Sequence, residues 1–103
     1  MKCFDVFCDD IRNGPMLPAY GTLIPNKDWV VVRRIGHMKL LLEAGLVNNL
    51  MLDHDFGNDD ETGMDLLTWC EDRNIWPHGL ITVHSANPPG KMAMLALLAK
   101  NGR

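Results

Sequence analysis

Asn48–Gly57, NNLMLDHDFG, joins two kinds of sequence end to end. The first half is an apolar run short enough for one strand. The second half is a cluster of titratable side chains, Asp53, His54 and Asp55. The apolar residues are consecutive and do not alternate with polar ones, which fits a strand covered on both faces, as in a parallel sheet. A strand of that kind places whatever follows it at the carboxyl rim of the sheet.

Working outward, the same pattern recurs. CFDVFC (3–8) reads as a first strand, WVVVRR (29–34) as a second, NNLMLD (48–53) as the third and GLITVHS (79–85) as a fourth. Between and after them lie helical segments. IGHMKLLLEAG sets Ile35, Met38, Leu41 and Leu42 on one face and has Gly45 as a C-terminal stop. MDLLTWCEDRN sets Leu66, Leu67 and Cys70 on one side, and Thr62-Gly63 turns the chain into it. GKMAMLALLAK (90–100) follows Pro88 and Pro89, residues suited to a helix start. Strands alternating with helices imply right-handed crossovers and a parallel sheet. The expected fold is a small doubly wound α/β domain spanning 1–103, with four strands in order 2-1-3-4 and three helices. Asp5 breaks the apolar pattern of the first strand, and a position near the bottom edge of the sheet is expected for it. Residues 11–28 form a long Pro/Gly-rich loop with no helical period, a length usually tied to function or disorder.

Composition narrows the class. The 103 residues suffice for one domain, and 47% hydrophobic with 22% charged is ordinary for a globular protein. A net charge of −3 argues against extended DNA binding. Three cysteines without CxxC spacing read as reduced thiols. No window approaches membrane-spanning length and the N-terminus is too acidic for a signal peptide, so a cytoplasmic protein with no membrane association is expected.

In open parallel sheets, ligands bind beyond the carboxyl ends of the strands. Here those ends carry Asp9-Asp10 with Arg12 beyond, then Asp53-His54-Asp55, then His84-Ser85 with Asn87. Two carboxylates about 4 Å apart repel by about 4 kcal/mol at an effective dielectric of about 20, so such a rim calls for a cation or raised pKa values. Oxygen-rich sites suit a hard divalent ion that also meets phosphate oxygens, and imidazoles there can move protons. Blander roles compete. Asp9-Asp10 could end a strand, Lys91 could sit in a first helical turn, and Arg33 and Arg34 could be exposed strand-end charges. Asp59, Asp60 and Glu61 read as a solvated acidic loop, and His37 and His78 as surface or packing histidines.

DDIRN, LDHDFG…TGMDLLTW and VHSANPPG, in that order, resemble receiver domains and, more closely, the cyclic-phosphate processing receiver domains. The resemblance spans nearly the whole chain. It implies Mg²⁺ or Mn²⁺ on Asp10 and Asp53, with Asp9 adjacent and the Asp55 carbonyl as a further ligand, and it matches the strand-four hydroxyl to Ser85. Two receiver features have no counterpart: the first helix and the fifth strand with its lysine, for which Lys91 comes too soon. The implied activity is processing of a cyclic phosphate on a nucleotide or an RNA end. Such proteins also occur in phage and beside defence or RNA-repair genes.

On that basis His54, His84 and Asp53 are the catalytic candidates, Asp9, Asp10, Asp53 and Asp55 the metal candidates, and Arg12, Ser85, Asn87 and Lys91 the phosphate-binding candidates. Two alternatives stay open. One is a non-catalytic protein that sequesters a cyclic nucleotide or docks on a protein partner through loop 11–28. The other is a stand-alone receiver phosphorylated on Asp53.

Overall fold

The computed structural model describes residues 3–9, 29–56, 61–85 and 87–103. Four parallel strands form one sheet in the order β2-β1-β3-β4: β1 (Phe4–Cys8), β2 (Trp29–Val32), β3 (Val47–Asp53) and β4 (Ile81–His84). Three helices complete the α/β fold: α1 (Ile35–Glu43), α2 (Gly63–Arg73) and α3 (Pro88–Lys100). Candidate residues Asp10 and Arg12, the whole of loop 11–28, and the acidic pair Asp59-Asp60 lie outside the described residues.

Register fixes which side chains share a face. Cys8 pairs with Val32 and with Leu52, and Leu52 pairs with Val83. These four belong to one buried apolar cluster with Ile35, Met38 and Leu42 of α1, Leu66, Leu67 and Cys70 of α2, and Met94, Leu97 and Leu98 of α3. The described helices therefore pack on one face of the sheet, with α1 against α2 and α2 against α3. Side chains alternate along a strand, so Phe7, Met51 and the residues in step with them point the other way. Phe7 and Met51 are also buried.

Helix boundaries follow local chemistry. Thr62 caps α2: its hydroxyl accepts from the Asp65 N–H while the Asp65 carboxylate accepts from the Thr62 N–H at 2.8 Å. Asn87 caps α3 by accepting from the Gly90 N–H at 3.1 Å, with Pro88 and Pro89 filling positions where no N–H is needed. Gly45 takes φ +71° after α1, the left-handed stop expected of it.

Asp5 has a definite role. The β1–β3 register slips between Phe4 and Val6, so that Asp5 faces both Asn48 and Asn49. One Asp5 oxygen accepts from the Asn48 amide at 3.2 Å, the Asn49 amide at 3.1 Å and the Asn49 backbone N–H at 3.2 Å. The carboxylate satisfies donors that the bulge frees from the ladder, at the end of the strands remote from Asp53.

Candidate functional site

β1, β3 and β4 end side by side, and their last polar residues point to the same face. Asp53 pairs with His84 in register, and Asp9 lies two residues beyond Phe7, on the Phe7 side of the sheet. Asp9, Asp53 and His84 are all buried, at 1%, 7% and 2% exposure. One ligand atom from each lies within 4.8 Å of the others, an arrangement that could hold a metal ion.

His84 spans the group. β4 and β1 are separated by β3, about 10 Å at a strand spacing of about 4.8 Å. The His84 ring nevertheless brings Nε2 to 3.0 Å from Asp9 Oδ2. It reaches there by lying flat on Phe7, with ring centroids 4.8 Å apart and planes 6° from parallel. Asp53 is oriented from its own chain, since its Oδ1 accepts from the His54 N–H at 2.8 Å.

His54 belongs to a second, neighbouring arrangement. Its Nδ1 lies 2.7 Å from Asp55 Oδ1, and that oxygen also accepts from the Asn87 amide at 3.4 Å. The hydrogen bond from His54 holds the Asp55 carboxyl below its ordinary value, helped by Asn87 and opposed by slight desolvation. The imidazole rests on the first turn of α3, where a Cβ at Gly90 would stand only 2.6–2.8 Å from ring atoms. Glycine at 90 is what lets the ring lie there. The strand end is tied to α2 as well: the Gly63 N–H donates to the His54 carbonyl at 2.8 Å, and a Cβ on Gly63 would overlap the Asp53 carbonyl oxygen.

The candidates from sequence thus separate into groups. Asp9, Asp53 and His84 come together. His54, Asp55 and Asn87 come together beside them. The Ser85 hydroxyl accepts from the Asn87 N–H at 3.0 Å and shapes the entry to α3. Lys91 is exposed in the first turn of α3. Among the bland assignments, His37 is exposed, and His78, also exposed, bonds the Gly45 carbonyl at 3.1 Å. Glu61 meets Lys39 at 2.6 Å. Arg33, read from sequence as a strand-end charge, donates to the Asp9 carbonyl oxygen at 3.3 Å.

The donor set fits a divalent cation. Two carboxylates confined within 4.8 Å of each other would repel by about 3–4 kcal/mol at an effective dielectric of about 20, and a dication between them removes that cost. Ligand atoms around an ion at bond lengths of about 2.0–2.2 Å are separated by about 3–4.4 Å, close to the spacing found here. The imidazole adds a nitrogen donor that Mn²⁺, Fe²⁺ or Zn²⁺ accept more readily than Mg²⁺. No described helix is long and apolar enough to cross a membrane.

The family model described as the cyclic-phosphate processing receiver domain matches residues 4–100. No curated protein and no solved structure matches the chain.

Proposed function

This chain belongs to the cyclic-phosphate processing receiver family, and from that premise we propose that it opens a cyclic phosphodiester on a nucleotide or an RNA end by metal-assisted hydrolysis. The observation that carries the proposal is the buried Asp9, Asp53 and His84 group with its ligand atoms within 4.8 Å. Asp9, Asp53 and His84 would hold the ion, with Asp10 their neighbour in sequence. A divalent ion supplies Lewis-acid polarisation of a phosphoryl oxygen.

The remaining roles fall to side chains of the rim. His84 is better suited to holding the ion than to moving protons, because it is buried, stacked on Phe7 and bonded to Asp9. His54 is the proton-transfer group: the Asp55 carboxylate engages Nδ1 and selects the tautomer with Nε2 as the accepting atom. Water adds to phosphorus, the ring P–O bond breaks, and the released sugar oxygen takes up a proton, leaving a phosphomonoester. His54 takes the proton from the attacking water and returns one to the leaving oxygen.

The experiment is turnover of 2′,3′-cyclic nucleotides, 3′,5′-cyclic nucleotides and a cyclic-phosphate-ended RNA, followed by phosphorus NMR. It is run with Mg²⁺, with Mn²⁺ and with chelator. Metal-dependent formation of a monoester that Asp53→Asn abolishes is the expected outcome. Absence of product from every substrate with either ion would overturn the proposal.

A further inference from the structure

We propose that Asn87 is the positioning residue of the proton-transfer pair, its side-chain amide fixing the Asp55 oxygen that holds the His54 imidazole. The proposal rests on the reading that His54 moves protons at this site. It deepens that reading by giving the pair a third member, carried by the start of a helix.

The sequence Asn87-Pro88-Pro89-Gly90 leaves the amide one orientation. A capping side chain accepts from the N–H two or three residues on, and in α3 the nearer of those positions is a proline. Asn87 Oδ1 therefore takes the Gly90 N–H, at 3.1 Å. Turning the amide over would set NH₂ against N–H, so Nδ2 is left facing outward. There it meets Asp55 Oδ1 at 3.4 Å. The main chain of Asn87 is held as well: its N–H donates to the Ser85 hydroxyl at 3.0 Å, and its carbonyl accepts from the Lys91 N–H at 2.9 Å. A residue tied at both peptide groups and at its own side-chain oxygen is suited to orient a neighbour.

Asp55 needs such a neighbour. Its side chain is 57% exposed, and a carboxylate in solvent is free to change rotamer. The oxygen that meets Asn87 is the one that lies 2.7 Å from His54 Nδ1. Two donors from different elements, one past the end of β3 and one capping α3, converge on it. A single contact would let it swing. The ring is located by the same helical turn, since a Cβ at Gly90 would stand only 2.6–2.8 Å from it. Gly90 thus serves both members, the imidazole by leaving room and the carboxylate through the cap.

The consequence is chemical. With Asp55 fixed, the proton stays on Nδ1 and Nε2 stays the accepting atom. A carboxylate free to rotate releases that choice, and the two tautomers mix. Proton transfer then finds its acceptor wrongly set part of the time, which lowers kcat and leaves substrate binding nearly alone.

The test separates capping from positioning. Asn87→Asp and Asn87→Ser both keep a preferred capping oxygen and both lose the amide donor, so each should melt within about 4 °C of the wild type. Nitrogen NMR of the His54 ring, recorded where the imidazole is neutral, should show Nδ1 protonated in the wild type and a tautomer mixture in both variants. With 2′,3′-cyclic nucleotides and Mg²⁺ or Mn²⁺, kcat should fall about ten-fold while KM stays within about two-fold. A folded variant that keeps the wild-type tautomer overturns the assignment, as does a wild type without Nδ1 protonation or an intact kcat beside a mixed tautomer. If neither variant folds, Asp55→Ala takes their place, and Asn87 side-chain amide signals that do not shift overturn the contact. Tautomer mixing in the variants, with no turnover of any cyclic substrate by the wild type, would instead defeat the hydrolytic reading and leave the positioning standing.

Discussion

His84 stacks on Phe7 and reaches over β3 to Asp9, so an edge-strand imidazole and a carboxylate two strands away meet at 3.0 Å. The contact closes a buried group of two carboxylates and one imidazole. Two carboxylates held this close repel, a strain that a cation between them would relieve.

That strain can be measured. Asp53→Asn removes one of two crowded carboxylates while keeping the shape and the acceptor for the His54 N–H. The metal-free variant should be more stable than the metal-free wild type by about 1 kcal/mol, or about 4–8 °C in Tm for a domain of this size. Adding Mn²⁺ should reverse the order, since a ligand at a hundred times its Kd stabilises by about 2.7 kcal/mol. Thermal melts with chelator and with Mn²⁺ decide it. A variant that is less stable without metal and still gains from Mn²⁺ would contradict the assignment.

Gly90→Ala tests the seat of His54. Helix propensity alone favours alanine by about 1 kcal/mol, but the new Cβ would stand 2.6–2.8 Å from the imidazole. The ring must leave, and its bond to Asp55 with it. Tm should move by less than about 5 °C, given that the two effects oppose and about 1 kcal/mol is 4–8 °C. Turnover should fall at least ten-fold, with KM changed less than kcat. Unchanged kcat would show that His54 does not need this position.

Asp55 gives a pH signature. The hydrogen bond from His54 lowers its folded-state pKa below the ordinary 3.8. A depressed carboxyl contributes stability that is present above the unfolded value and is lost as pH falls through the folded value. Asp55→Asn should therefore be less stable than wild type at neutral pH and converge with it below about pH 3.8. The gap should be small, because the Asp55 side chain is 57% exposed and solvent screens it. Melts from pH 7 down to pH 3 would show it. A gap that widens on acidification would reverse the inferred direction.

Much of this molecule is legible in the sequence because its strands and helices speak through different periods. The uninterrupted run LML (50–52) with its following Asp53 announces a buried parallel strand and a rim residue together. Order, parallel pairing and the three helices follow. Asp9 could also have been singled out over its neighbour: counting by twos from Phe7 puts it on the face that Asp53 and His84 share. Asp5 could not be understood that way, because its partners exist only where the β1–β3 register slips. Gly90 under His54 is equally silent, since nothing local says that a helix's first turn will meet a strand's end. Arg33 was readable only as a charge until its bond to the Asp9 carbonyl gave it an address.

The position of β4 has a kinetic consequence. Among the described strands it pairs only with β3 and forms one margin of the sheet. Marginal strands peel away more often than central ones, on free energies below that of global unfolding. Asp53 ends one central strand and Asp9 directly follows the other, whereas His84 ends the marginal one. An ion held by all three would be captured by a fixed pair of jaws and a hinged one, and its residence time would be set by how often four residues of backbone let go.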